Sequence, residues 1–525
     1  MTLFSSTLRR VQRWDLWKLS IVVVAALVGF QFVGLHPASA GQTITGSGSS
    51  YAAVAINNWT GQVANLYGAS VNYQTSSSVL GLDAFCANQV DFAASEIGYN
   101  AGQASCPPGQ PAPGTYQYMP DVAGATCLMY NLQSTTSQPI RNLQIDSATM
   151  MGIFSGKILY WDDSAMKELN SGVALPHAFI NPVVRSDASG DNYIFSQYLS
   201  SLQGGEYASF NSTFTPSNSI PSAQWPSATA NAVQNGFDLS HFVPQAGSDN
   251  ASNYVASYPN TITYVETAYA ILHGSACAAV KNASGSFVEP SAVADAIALT
   301  HDCLNADLTQ NLNGCNGDPG VFNAPEPEAY PISAYSYLIA STNISVQKAA
   351  VLAQFIHFMA CQGQVSAGQL GYSPIPPNLI LDDFAAIGRL PGQKTPDPPT
   401  AQNCPNPYLT GAMKYVGGPI QLSTGGSGGA SSAATGTVDV QQVSAASAAQ
   451  SAAVKGSNGL YQAGGQKFGI ALNAAVANML SEAGPGAAIA GVTAIFLAMI
   501  IVPPTVGLLR RRRRIRAESF EGEIS

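Results

Sequence analysis

Four short segments of this chain carry residue types that could do chemistry: Gly46-Ser47-Gly48-Ser49-Ser50, Ser76-Ser77-Ser78, Val90 to Glu96, and Arg185-Ser186-Asp187-Ala188-Ser189-Gly190. Gly-Ser runs let backbone N–H groups approach a ligand and add hydroxyl donors. Arg185 offers a planar charged fork, and the carboxylates can accept a proton. Together they describe a pocket for a tetrahedral oxyanion. No H-E-x-x-H motif and no paired metal-ligand cluster accompanies them, so the expected chemistry is capture rather than turnover, with no cofactor and no metal. Taken singly, each has a plainer reading: a βα turn for the Gly-Ser run, a surface ion pair for Arg185, a solvated loop acid for Glu96.

Such residues need elements that aim them. Short apolar strands alternate with helical stretches, the pattern of an α/β fold. Thr43 to Thr45 reads as a strand entering the first Gly-Ser turn, and Tyr51 to Leu66, with Ala55, Trp59, Val63 and Leu66 near helical spacing, as the helix after it. Val71 to Gln74, Val90 to Ala94 and Ile180 to Val184 read as further strands, Gly81 to Asn88 and Asp191 to Ser200 as helices. Later segments include a strand at Thr263 to Val265, another at Tyr337 to Ala340 and a helix from Val346 to Met359. A strand, a Gly/Ser turn and a helix in succession point backbone N–H groups and the positive helix end at an anion. Trp59, Trp161 and Tyr193 read as packing residues.

The run ITGSGSSYAA, then VNYQTSSSVLGLDAFCANQVDFAASE, FSGKILYWDDSAMKELN, VVRSDASGDNYIFSQYL, ITYVETAYA and LGYSPIPPN resembles the substrate-binding proteins of bacterial phosphate ABC transporters. The similarity runs from Thr43 to Pro377, more loosely at about residues 100–120, 205–245 and 275–330. The resemblance implies a class II periplasmic-binding-protein fold, two lobes joined by a hinge that close on one phosphate. It also implies the ligand set. Ser49 and Ser50 match the Gly-rich loop that supplies N–H groups and a hydroxyl, and Ser78 the serine at the start of the second helix. Arg185 matches the pocket arginine, Asp187 the carboxylate bracing it, and Ser189 and Gly190 the adjoining donors.

Two positions depart from the family pattern. Glu96 stands where an aspartate accepts a hydrogen bond from protonated phosphate, which keeps the charge on an arm one methylene longer. Asp191 stands where a threonine is usual. Pointing inward and ionised it repels the anion; turned outward it caps the following helix and leaves its N–H for the ligand, which is the favoured expectation. Both changes also suit an acidic exterior in which carboxyls can donate.

The chain has 525 residues, of which only 10% are Asp, Glu, Lys or Arg, and a net charge of −9. Neutral polar groups must solvate its surface, and nucleic acid is excluded as a partner. Residues 1–40 read as a signal peptide, with an uncleaved N-terminal anchor as the alternative: Arg9, Arg10, Arg13 and Lys18 precede the apolar Leu19 to Val33, and Ala38-Ser39-Ala40 forms a cleavage site. Export places the eight cysteines in an oxidising compartment, so disulfides are expected. Cys86 with Cys106 and Cys303 with Cys315 are the near-neighbour guesses.

The expected organisation is a bilobal ectodomain over 41–422, a Gly/Ser/Ala-rich spacer over 423–483, a transmembrane helix over 484–509 and a basic cytoplasmic tail over 510–525. Gly484 to Leu509 carries no charge and is followed by Arg510 to Arg514, which by the positive-inside rule leaves the ectodomain outside the cell. The expected protein is a tethered phosphate receptor at the cell membrane. Its partners are inorganic phosphate, ABC permease subunits and, through its C-terminal helix, the lipid bilayer. The rival expectations are a surface sensor with an altered pocket, a phosphatase-like enzyme on the same fold, and a receptor for sulfate, arsenate or a metal oxyanion.

Overall fold

The computed structural model describes Gln42 to Pro226 and Ala232 to Lys414. The expected signal peptide, spacer, transmembrane helix and basic tail lie outside these residues. Among the described residues no helix is long and apolar enough to cross a membrane.

One mixed sheet organises the described chain. Its principal strands are β1 (Thr43–Gly48), β2 (Ser70–Thr75), β3 (Phe92–Ser95), β4 (Tyr116–Asn131), β5 (Asn181–Arg185), β6 (Val243–Gln245), β7 (Thr261–Glu266) and β8 (Ser333–Ser341), in the spatial order β2-β1-β3-β8-β4-β7-β5-β6. The long β4 joins two halves. Its first part, Tyr116 to Ala125, runs antiparallel to β8, and its second, Thr126 to Asn131, antiparallel to β7. β1, β2 and β3 are mutually parallel in one half, as are β5, β6 and β7 in the other. Parallel strands send their carboxyl ends the same way, and that is where α/β sheets bind ligands. β1, β3, β5 and β7 end in or next to Ser49, Glu96, Arg185 and Glu266.

The helices follow from local chemistry. α1 (Ala53–Tyr67) buries Ala55, Ile56, Trp59 and Val63 and stops at Gly68, which adopts the left-handed conformation. Leu66, expected on that buried face, lies in the last turn and is exposed. α2 (Ser78–Cys86) begins three residues earlier than the apolar spacing suggested, because Ser77 caps it by accepting from the Leu80 N–H. That shift makes Ser78 its first helical residue. α3 (Gly190–Leu202) is capped by Ser189, which accepts from the Asn192 N–H. α4 (Gly247–Ser257), α5 (Thr267–His273) and α6 (Val346–Ala360) complete the set that matters here.

Trp59 and Trp161 are fully buried and Tyr193 packs partly buried against the core, as expected of packing residues. All eight cysteines are paired: Cys86–Cys106, Cys127–Cys277, Cys303–Cys315 and Cys361–Cys404. Both near-neighbour guesses match the structure. The two long-range pairs had no local sequence signal.

Candidate functional site

Gly48 at the end of β1 has φ +142°, and a Cβ there would lie 2.1 Å from the Ala94 carbonyl oxygen, so only glycine lets the chain turn out of the sheet beside β3. The turn delivers Ser49, whose hydroxyl donates to Glu96 Oε1 at 2.5 Å. Ser78, at the head of α2, donates its hydroxyl to Glu96 Oε2 at 2.6 Å. Glu96 is 3% exposed, and burial pushes its carboxyl above the usual range even though the two hydroxyls oppose the shift. The Gln310 side chain holds the strand exit, donating to the Glu96 and Tyr335 carbonyls and accepting from the Tyr335 N–H.

The other half of the sheet supplies the cation. Arg185, at the end of β5, is buried, and its Nε and Nη2 donate to Asp187 Oδ1 at 2.8 Å and Oδ2 at 2.5 Å. Its Nη1 donates to Asp191 Oδ2 and, at 2.9 Å, to Ser248 Oγ. Burial works against ionisation of Asp187, yet the Arg185 guanidinium and the Gly247 N–H hold its carboxyl below the ordinary value. The Asp187 carboxylate thus fixes the direction of the Arg185 guanidinium.

Asp191 does not turn outward to cap α3. Ser189 already fills the cap, and Asp191 instead points inward, 1% exposed, onto the arginine. A buried guanidinium with one free edge attracts the nearest carboxylate more strongly than a helix end does. The Ser49 N–H donates to the Ala94 carbonyl at 2.8 Å, and the Ser189 N–H to the Ala223 carbonyl at 2.9 Å.

Three contacts close the two halves on each other. Gly190 donates its N–H to Ser78 Oγ at 2.9 Å, and the Ser50 and Ser248 hydroxyls are 2.8 Å apart. Gly190 also lies so close to Glu96 that a Cβ would fall 1.9 Å from Oε2. Ser49, Ser50, Ser78, Glu96, Arg185, Asp187, Ser189, Gly190 and Asp191 are thus one cluster. Sequence reasoning missed Ser248 and Glu266, which lie in that cluster. Ser248 follows Gly247 at the head of α4, a small residue after a strand, and that pattern was the available signal.

A buried cation ringed by hydroxyls and acids lies at the carboxyl ends of strands from two halves of a sheet, where α/β folds of the periplasmic-binding-protein-like class bind ligands. The family model for the PBP superfamily domain matches residues 36–362. The phosphate-binding protein PstS of Xylella fastidiosa is 30% identical over 66% of this chain and 85% of its own length. The protein of the same name from Pasteurella multocida is 27% identical over 68% and 93%, and that of Methanocaldococcus jannaschii 30% identical over 51% and 65%. The chain belongs to the PBP superfamily and, within it, to the PstS-like phosphate-binding proteins.

Proposed function

We propose that this protein captures inorganic phosphate between the two halves of its sheet and delivers it to an ABC-type permease. The observation that carries the reading is the short path from Arg185 through Ser248 to Ser50, with Gly190 seated on Ser78. One cation and several neutral donors from both halves converge within hydrogen-bonding distance of one another. Ser49, Ser50, Ser78, Ser189 and Gly190 donate to the phosphate oxygens, and Arg185 pairs with them while Asp187 fixes its direction. An arriving phosphate competes with Glu96 for the Ser49 and Ser78 hydroxyls, with Ser78 for the Gly190 N–H, with Ser248 for the Ser50 hydroxyl and with Asp191 for Arg185.

Glu96 makes the choice of ligand. Phosphate at neutral pH has an O–H to give to a carboxylate, whereas sulfate has none and would face it unpaired in a dry gap. No step in this reading breaks a bond, so the protein is a receptor and not an enzyme. The apolar segment 484–509 and the arginines after it support a membrane anchor, with the ectodomain outside the cell and the tail inside. The spacer over 423–483 would then hold the receptor near its permease at high effective concentration. Calorimetric titration of the whole chain in detergent tests the binding. Micromolar or tighter phosphate affinity with at least about a hundredfold weaker sulfate is expected, and no phosphate heat at any pH overturns the reading.

A further inference from the structure

Glu266 is the last residue of β7, fully buried, and the site as described gives it no role. Its Oε1 lies 3.4 Å from the Ser248 hydroxyl, which is also 3.5 Å from Asp191 Oδ2. The Glu266 and Asp191 carboxyls thus flank one and the same hydroxyl. Yet Glu266 Oε2 and Asp191 Oδ1 are both buried without a donor. Two ionised carboxylates flanking one hydroxyl in a dry interior repel strongly and leave acceptors unsatisfied, whereas a single proton shared by the pair removes both penalties.

We propose that Glu266 is a specificity-determining residue of the pocket, a neutral acid that donates its proton to Asp191 and thereby allows a phosphate anion to be held beside that carboxylate. The proposal rests on the phosphate reading above. The charges show why the proton matters. Arg185 is one positive charge in a cluster that also holds Glu96, Asp187, Asp191 and Glu266, and an added anion raises the deficit unless a proton stays with it. Arg185 and Asp191 act on Glu266 through their charges, as it does on the phenols of Tyr51 in the turn after β1, Tyr269 on α5 and Tyr372 on the strand Tyr372–Ser373. All three phenols are buried and held above their ordinary range, so none supplies a competing negative charge. Burial is the largest influence raising the Glu266 carboxyl, followed by Asp191, with Arg185 opposing. The neutral form is therefore the one this environment favours.

The consequence is that phosphate affinity falls as pH rises and the Glu266 proton is lost. Glu266→Gln replaces the acid with an amide that donates at every pH. The test is phosphate titration of the whole chain by calorimetry from about pH 5 to about pH 9, in buffers of different ionisation enthalpy, on the wild type, Glu266→Gln and Asp191→Asn. Because the ionisation of phosphate is common to all three, differences between them report the pair. In the alkaline half of the range the wild type is expected to lose affinity up to about tenfold per pH unit faster than either variant, and to retain about one more proton per phosphate bound. Should Glu266→Gln show no cooperative melt, Asp191→Asn decides alone. Phosphate binding with the same slope and proton count in the wild type and each folded variant overturns the role of Glu266 and leaves the receptor reading intact. Absence of phosphate heat in the wild type overturns both.

Discussion

The Gly190 amide donates to the Ser78 hydroxyl at 2.9 Å, joining the head of α3 in one half of the sheet to the head of α2 in the other. The same hydroxyl donates to Glu96 Oε2, and a Cβ at position 190 would fall 1.9 Å from that oxygen. A side chain at position 190 therefore cannot enter without moving an acid held by two hydroxyls. Gly190→Ala is expected to keep the two halves apart. Phosphate affinity should drop by at least about tenfold, equivalent to about 1.4 kcal/mol, while the melting temperature changes little. Calorimetry paired with thermal melts checks this, and unchanged affinity would mean that the contact does not gate closure.

Glu96 accepts from Ser49 and Ser78 at short distances, so its carboxylate marks where a protonated ligand oxygen must sit. Glu96→Gln retains the size of the side chain and replaces one acceptor oxygen with an amide donor. Discrimination against sulfate should collapse by roughly two orders of magnitude or more, the scale of a lost buried charge-assisted hydrogen bond. Competition of sulfate against bound phosphate measures it. A variant that still rejects sulfate as well as the wild type would assign selectivity elsewhere.

Much of this arrangement was legible because turn chemistry is local. The Gly-Ser run before α1, the serines before α2 and the Arg-Ser-Asp run before α3 announce strand ends and helix starts within a few residues. β4 was not legible. Its residues are nearly all buried, so no alternation marks it, and it contains Pro120 and Gly124, which argue against a central strand. The structure accommodates Pro120 at an irregularity in the register with β8, between Tyr335 and Tyr337. The orientation of Asp191 was equally hidden, since it depends on Arg185 having a free edge and on Ser189 taking the cap. Glu266 lies 75 residues beyond Asp191 and meets it only because β7 pairs with β5.

Buried acids also set how stability responds to pH. Asp302 is 3% exposed, with one oxygen accepting from the Asn311 N–H at 2.9 Å and the other unpartnered. Burial pushes its carboxyl from 3.8 up to about 7. A carboxyl raised on folding binds its proton more tightly in the native state, so stability falls as pH rises from the unfolded value toward about 7 and then levels. Asp302→Asn removes this penalty and should flatten the decline, raising stability near pH 8 by roughly 1 to 3 kcal/mol. Denaturant melts of both proteins at about pH 5 and about pH 8 supply the comparison. An equal pH slope in the two would place the titration on other acids.

Cys127 on β4 and Cys277 on the adjoining strand Ala276–Cys277 are 150 residues apart in sequence and paired across the second half of the sheet. Around Cys127 pack Met129, Val183, Val265 and Ala251, the apolar backing of the strands that end at Arg185 and Glu266. The disulfide thus closes the longest covalent loop among the described residues, one that contains β5, β6, β7 and every site residue from Arg185 onward. In the chain-entropy account such a loop contributes roughly 4 to 5 kcal/mol by restricting the unfolded chain, a ceiling that strain and residual structure reduce. Replacing both cysteines by alanine should lower stability by several kcal/mol while leaving the geometry at Arg185 intact. Saturating phosphate should then recover part of the loss, because a ligand held only by the folded form shifts the equilibrium toward it. Melts of the double variant with and without phosphate check both halves of this expectation. A variant that melts like the wild type would show that strand pairing, rather than the covalent link, holds this half of the sheet.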